Sequence, residues 1–268
     1  MVIELNRNLV RSHFSSQAEE YDRYALVQTR VVDRLLQLVA VETLTGRCLE
    51  IGTGTGRFSA ELVKTHPALQ PVVSDLAHGM TRHAAQRVKD ALAVDADAGC
   101  LPFRPASFAT VISSSVYQWV EDLTSAFREV ERVLRPGGLF VFALFGEQSL
   151  HELRTSHQLA VNELQAGRMS HAQEFPAEAE LKQTMNNSRL QCLQLFSEQE
   201  VEFHANVPDL LRSLKKIGAG NASRHRPPGL ASRQVMQRMI DIYVGRYSSN
   251  SGVPATYQVI YGVARKSL

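Results

Sequence analysis

The sequence predicts an α/β fold, a doubly wound and mostly parallel sheet of seven strands. N-terminal helices precede it, and a helical lid interrupts it before the last strand. Short apolar runs alternate five times with amphipathic stretches within about 100 residues, the rhythm of parallel strands joined by crossover helices. The first run ends in a cluster of glycines. Two later segments, EQEVEFHA (198–205) and ATYQVIYGVARK (255–266), alternate apolar and polar residues as further strands do.

Residues 8–40 read as helix, because Val27, Val31, Val32, Leu35, Leu36 and Val39 recur at three- and four-residue steps. Thr45 and Gly46 end that pattern, and CLEIG (48–52) is a short apolar run suited to a buried parallel strand. A helix over 57–65 follows, then the strand PVVSD (71–75), a helix over 79–90 and the strand ALAVDAD (91–97). FATVISSS (108–115) is a fourth strand and LTSAFREVERVL (123–134) a helix. RPGG (135–138) reads as a turn, and GLFVFALFG (138–146) as a fifth strand. Helices are expected at 149–166, 175–187, 207–217 and 231–246, the last two separated by a Gly/Pro-rich loop over 218–229. These elements divide the chain into a helical cap (1–44), a core (45–206 and 254–268) and a basic helical lid (207–253).

An apolar fraction of 44% and a charged fraction of 21% are those of an ordinary soluble protein. Its 268 residues can bury a core without staples. Cys48, Cys100 and Cys192 are odd in number and far apart, with no zinc-ligand spacing, so no metal is expected. They read as reduced, buried thiols of a cytoplasmic protein. Residues 1–16 lack the apolar stretch of a signal peptide, and no run approaches a membrane span. The net charge of +2 is too small to imply nucleic acid. Its distribution is uneven, however. Between 207 and 247 eight basic residues (Arg212, Lys215, Lys216, Arg224, Arg226, Arg233, Arg238 and Arg246) face only Asp209 and Asp241.

LEIGTGTGR places Gly52, Gly54 and Gly56 directly after the first strand, where backbone must turn sharply and approach a ligand without a Cβ in the way. A dinucleotide fingerprint would read GxGxxG and receive pyrophosphate. Here the spacing is GxGxG, preceded by Glu50. That carboxylate would repel pyrophosphate but balances a cationic sulfonium, which favours S-adenosylmethionine over a nicotinamide cofactor. Asp75 ends the second strand about 20 residues later, where a carboxylate accepts from both ribose hydroxyls. It also suits a helix N-cap. Asp97, with Asp95 as rival, is placed to accept from the adenine amine, and Met80 to pack on the adenine face. All lie at the C-terminal ends of successive strands, where open parallel sheets bind ligands.

The motifs LEIGTGTG, VVSD, DAGCLPF, SSSVYQWVEDL and REVERVLRPGGLFVFALFG resemble the Rossmann-like core of the class I methyltransferases over 45–146. FSSQAEEYDRYALVQ, FGEQSLHEL, SLKKIGA and ATYQVIYGVARK extend the likeness nearly end to end. They resemble the malonyl-acyl-carrier-protein O-methyltransferases of biotin synthesis. The resemblance implies methyl transfer from S-adenosylmethionine to the free carboxylate of malonyl-acyl carrier protein. The resulting methyl ester primes pimeloyl and biotin synthesis. It assigns Gly52, Gly54, Gly56, Asp75, Leu76, Asp97, Ala98 and Ser114 to the cofactor. This chain departs at Thr53, where many relatives carry Cys, and at Gly99, where Glu is common. It also departs at Ser114 in place of Asn, and at Ala77-His78 in place of Ser-Pro. None of these removes a required glycine or carboxylate, but Ser114 puts one family hydrogen bond in question.

A carboxylate acceptor is already ionised near neutral pH, so no general base is needed, and no nucleophile signature such as GxSxG occurs. The residues expected to orient the malonyl group are Tyr21, Tyr117, Gln118 and Lys215. Tyr21 and Trp119 also suit plain core packing. The basic residues Arg212, Lys215, Lys216, Arg224 and Arg226 are expected to attract an acidic carrier protein, with a solvated helix face as the plain alternative. Two rival functions remain at this level. One is a class I methyltransferase acting on another small carboxylic acid or quinone precursor, which would not need the basic lid. The other is a non-catalytic cofactor-binding module.

Overall fold

The computed structural model describes residues 5–164, 175–220 and 233–268. The chain opens with α1 (Arg7–Gln17), α2 (Tyr21–Tyr24) and α3 (Leu26–Val39). The alternating core runs β1 (Gly46–Ile51), α4 (Arg57–Thr65), β2 (Leu69–Asp75), α5 (His78–Arg87), β3 (Leu92–Asp95), β4 (Phe108–Ser114), α6 (Leu123–Val133) and β5 (Leu134–Phe145). It continues with α7 (His151–Glu163), α8 (Glu178–Asn186), β6 (Leu190–His204), α9 (Val207–Lys216), α10 (Arg233–Tyr247) and β7 (Val253–Lys266).

The strands form one seven-stranded sheet in the order β3-β2-β1-β4-β5-β7-β6. β1 through β5 pair in parallel, and β7 runs antiparallel to both β5 and β6. Alternation along β5 sorts its side chains between two cores. Leu139, Val141, Ala143 and Phe145 join residues of α3, α4, α7, α9 and α10 on one face. Phe140, Phe142 and Leu144 join residues of α6 and α8 on the other. The order reverses between β1 and β4, so the loops after those two strands part and leave a crevice at their C-terminal ends.

Local chemistry explains the elements around that crevice. α6 buries Ala126, Phe127, Val130 and Val133 at helical spacing. Its N-terminus is capped by Asp122, which accepts from the Ser125 N–H at 3.0 Å. α9 is capped by Asn206 and carries a proline in its first turn, which fixes the start of the basic segment.

Four expectations need correction. The stretch 8–40 is three helices, not one, because the chain turns at 18–20 and again at Ala25, and those turns carry Tyr21 and Asp22 to the crevice. The RPGG sequence belongs to β5, entered through a register irregularity with Gly137 at φ 73°. β6 begins at Leu190, well before the alternating EQEVEFHA. It is a half-exposed edge strand zipped along β7, so its first half needs no apolar face. Of the cysteines, Cys48 is buried but Cys100 and Cys192 are exposed, all three free. Among the described residues no helix is long and apolar enough to cross a membrane, and no group of side chains could hold a metal ion.

Candidate active site

The glycine turn after β1 is dictated by sterics. Gly52, Gly54 and Gly56 have φ of 68°, 53° and 81°, the left-handed region. A Cβ on Gly52 would lie 2.1 Å from Cγ2 of Val116, so the loop after β4 excludes any side chain there. At Gly54 nothing lies within 4 Å of where a Cβ would point.

Two carboxylates fix this turn. Oε2 of Glu50 accepts from the Thr53 hydroxyl at 3.0 Å and from the Ser59 N–H at 3.1 Å, tying β1 to the first turn of α4. Burial pushes the Glu50 carboxyl up to about 7, against the pull of those hydrogen bonds. Asp75, at the end of β2, accepts from the Gly54 N–H at 2.9 Å and the Ala77 N–H at 2.8 Å. The helix-cap expectation for Asp75 is not met, since α5 begins after Ala77 with no side-chain cap, and Asp75 closes a turn onto Ala77 instead. Its carboxyl lies at the cleft wall, and loss of solvent raises it to about 6.

Three cavities adjoin at these residues. The first, about 560 Å³, is walled by Gly52, Gly54, Asp75, Leu76, Met80 and Ser114, together with Ala96 and Ala98 after β3. Val10, Phe14 and Tyr21 of the N-terminal helices roof it. The second, about 430 Å³, contains Glu50, Thr53, Gly54, Asp22, Gln28 and Ser115. The third, about 480 Å³, is mostly apolar and includes Gln118, Trp119, Phe145, Leu150, Leu214 and Tyr257. Tyr21 and Ser115 line all three. Burial, then Asp75 and Asp22, raise the Tyr21 phenol well above its ordinary range, so it stays a neutral donor.

Ser115 sits at this junction with φ 59°, an uncommon conformation for a residue with a side chain. Its N–H donates to the Ala143 carbonyl at 2.7 Å, and its own carbonyl accepts from the Gln118 amide at 2.8 Å. The hydroxyls of Ser114 and Ser115 and Oε1 of Gln118 are buried without a hydrogen-bond partner in the protein. Buried polar atoms left this way need a partner from a ligand or a water, and these three lie at the junction of the cavities.

The N-terminal helices are latched over the crevice. The Thr55 hydroxyl and Arg87 both donate to Asp22, at 2.6 Å each. The Ser15 hydroxyl accepts from the Gly79 N–H at 2.9 Å, and Arg7 pairs with Asp97 at 2.9 Å. Lys216 of α9 reaches Glu20.

Most of the residues singled out in the sequence converge here: Glu50, Gly52, Gly54, Asp75, Leu76, Met80, Ala98, Ser114, Tyr21 and Gln118. Gly56 supports the turn from behind, against Ala84. The structure does not bring Asp97, its rival Asp95, Tyr117 or Lys215 to the wall of any of these three cavities. The Asp97 carboxylate turns to Arg7 and to the Gly99 N–H, and only its neighbours face the cleft. The rival Asp95 pairs with His78 in solvent. Tyr117 is fully buried among Phe127, Phe140 and Phe142, because the short helical turn over 117–119 rolls its ring under the sheet. Lys215 is exposed on α9, while Leu214 of that helix and Ile217 just after it wall the third cavity instead. Arg212 pairs with Asp209 at 2.8 Å, while Arg224 and Arg226 lie outside the described residues. Gln28 and Ser115 escaped the sequence reading. Gln28 had a signal, since it stands in register with the apolar stripe Val31, Val32 and Leu35 yet is polar.

The comparisons with known proteins agree with this geometry. The family profile described as "Methyltransferase domain" matches residues 49–142, from β1 into β5. A malonyl-[acyl-carrier protein] O-methyltransferase of Geobacter sulfurreducens is 40% identical over 98% of this chain and its own full length. One from Halorhodospira halophila is 34% identical over 97% of this chain and 88% of its own. In fold, a Bacillus halodurans crystal structure described as a methyltransferase superposes with a TM-score of 0.62 at 14% identity, covering 88% of this chain and 99% of that one. With a conserved-length relative at this identity and a crevice of this construction, the chain belongs to the malonyl-[acyl-carrier protein] O-methyltransferase family.

Proposed function

We propose that this protein transfers a methyl group from S-adenosylmethionine to the free carboxylate of malonyl-acyl carrier protein, giving the methyl ester that primes pimeloyl and biotin synthesis. The observation that carries the reading is the meeting of an apolar chamber with a carboxylate-lined cleft at Tyr21 and Ser115. Bound there, S-adenosylmethionine supplies an activated methyl group on a cationic sulfur. The residues fit it chemically. Asp75 offers acceptors to ribose hydroxyls, Leu76, Met80 and Ala98 give apolar walls for a base, and Glu50 supplies negative charge near the glycine turn. Gly52, Gly54 and Gly56 let backbone approach, and Ser114 offers its unsatisfied hydroxyl. Asp97 acts one step back, holding Arg7 and thereby the roof.

The acceptor oxygen is ionised, so the protein needs only to place it and strip its water. We assign that placement to Tyr21 and Gln118, joined by Gln28 and Ser115 at the junction. All are neutral, so they orient the carboxylate without quenching its charge. Tyr117 positions Gln118 and Trp119 from beneath and does not touch substrate. In this reading residues 1–44 are the cap, 45–206 with 254–268 the methyltransferase core, and 207–253 the lid. Arg212, Lys215 and Lys216 of α9 are the basic residues we assign to attracting the acidic carrier protein.

The test supplies purified protein and S-adenosylmethionine with malonyl-carrier protein, malonyl-CoA and a panel of free dicarboxylic acids. S-adenosylhomocysteine should form fastest with the carrier-bound acyl group. Equal or faster turnover of a free acid would move the assignment to a small-molecule methyltransferase.

A further inference from the structure

The walls assigned to the base, Leu76, Met80, Ala96 and Ala98, offer no side-chain donor and no acceptor beyond the weak thioether of Met80. Asp97, between the two alanines, turns its carboxylate away to Arg7 and to the Gly99 N–H. The polar groups left to read the edge of a purine are therefore those of the backbone in the turn after β3. Backbone selects between ligands only when it is held still.

That turn is pinned at both ends. The Ala96 N–H donates to the Asp75 carbonyl at 2.8 Å, and the Cys100 N–H to the Asp97 carbonyl at 2.9 Å. Its far limb is gripped by two residues of α6 one helical turn apart. Oε2 of Glu129 accepts from the Leu101 N–H at 2.6 Å. Arg132 donates from Nη2 to the Leu101 carbonyl at 2.9 Å and from Nη1 to the Phe103 carbonyl at 2.6 Å. The two side chains also lock each other, Nε to Oε1 at 2.6 Å and Nη2 to Oε2 at 2.8 Å, a two-pronged geometry that lysine cannot reproduce. Leu101 is buried in the same core as Ala98, and Phe103 packs against that core and edge-on to Phe108. In a close-packed interior, a shift at the clamp is passed on to the cleft wall.

We propose that Glu129 and Arg132 are positioning residues that set the base selectivity of the cofactor site, by holding the backbone of 96–103 against an adenine edge. The inference rests on the reading of the cleft as a site for S-adenosylmethionine. Neither side chain lines any of the three cavities, so both act through the turn. Adenine presents an amine donor beside the N1 acceptor, and hypoxanthine reverses both. Backbone fixed in one place matches the first pattern and leaves its own groups unpaired against the second. Backbone that has been loosened can turn to suit either.

The test is titration calorimetry of the full chain with S-adenosylhomocysteine and with S-inosylhomocysteine, its 6-oxo analogue. Steady-state kinetics with malonyl-carrier protein and a melting curve accompany each variant. Wild type should favour the adenine ligand by at least about 100-fold. Arg132→Gln should cut that preference by at least about tenfold and raise KM for S-adenosylmethionine, with kcat at saturation held within about twofold. Arg132→Lys should recover part of the preference. Glu129→Gln, which keeps an acceptor for the Leu101 N–H, should fall between Arg132→Gln and wild type. If Arg132→Gln does not fold, the preference in Glu129→Gln decides. Equal losses of both ligands, an unchanged preference in the folded variants, or no preference in wild type overturns the proposal and leaves the cofactor reading intact. If wild type binds neither ligand, both readings fall together.

Discussion

Glu50 separates stability from function, and replacing it with glutamine exposes the difference. Its carboxyl is buried and raised from 4.5 to about 7, so the folded protein holds a proton that the unfolded chain releases near pH 4.5. Stability from this group is therefore complete below pH 4.5 and is lost as pH rises towards 7, at about 1.4 kcal/mol per pH unit. Summed over that window the loss is about 3 kcal/mol. Glutamine carries no such burden. The Thr53 hydroxyl and the Ser59 N–H donate to the same oxygen, which an amide oxygen can replace, and the Ser59 hydroxyl, also bonded to the carboxyl, can turn to accept from the new amide. Urea unfolding of ligand-free protein between pH 5 and pH 8 is the assay. Glu50→Gln should exceed wild type by under about 1 kcal/mol at pH 5 and by about 3 kcal/mol at pH 8. Its affinity for S-adenosylmethionine should fall at least about tenfold, because a buried anion facing a cation is gone. A variant no more stable than wild type at pH 8 would refute the reasoning.

Asp75→Asn should weaken S-adenosylhomocysteine binding by about 1.5–3 kcal/mol in titration calorimetry. Wild-type affinity should drop as pH falls through 6, where the Asp75 carboxyl protonates, and the variant should lose that dependence. Gly52→Ala forces both a positive φ and a clash with Val116, and a loss of about 2–4 kcal/mol in urea unfolding is expected; Val116→Ala in the same chain should restore part of it. Ser115→Gly relieves a left-handed residue and should gain up to about 1 kcal/mol of stability while slowing turnover. Raising salt from 0.05 to 0.5 M should depress activity with malonyl-carrier protein far more than with malonyl-N-acetylcysteamine; equal losses would remove the basic surface from carrier recognition.

Most of the parallel half of the sheet was legible because β1, β2 and β4 are short, nearly continuous buried runs, LEIG ending at the glycine turn and VVSD at Asp75. α4 was readable to the residue, since the glycine turn starts it and His66-Pro67 stops it. The edge strand β6 was not, because a half-exposed antiparallel strand such as QCLQLF carries little apolar contrast. Within the site, residues that act through backbone position were visible, as with the three glycines and Asp75. Residues that depend on tertiary direction were not. Tyr117 and Gln118 are neighbours in sequence, yet a single helical turn sends one into the core and the other towards the acceptor chamber. Asp97 was misjudged for a related reason, since nothing local announces that Arg7 arrives from 90 residues away. Ser115 gave no hint, because its conformation is imposed by the strand pairing around it.

Isotope tracing with methyl-labelled S-adenosylmethionine and malonyl-carrier protein addresses the central claim most directly. Label should appear in a base-labile ester on the acyl group, in step with S-adenosylhomocysteine, and should vanish with Asp75→Ala. Label absent from the acyl group, whether lodged elsewhere or never transferred, would contradict the assignment of the three adjoining cavities.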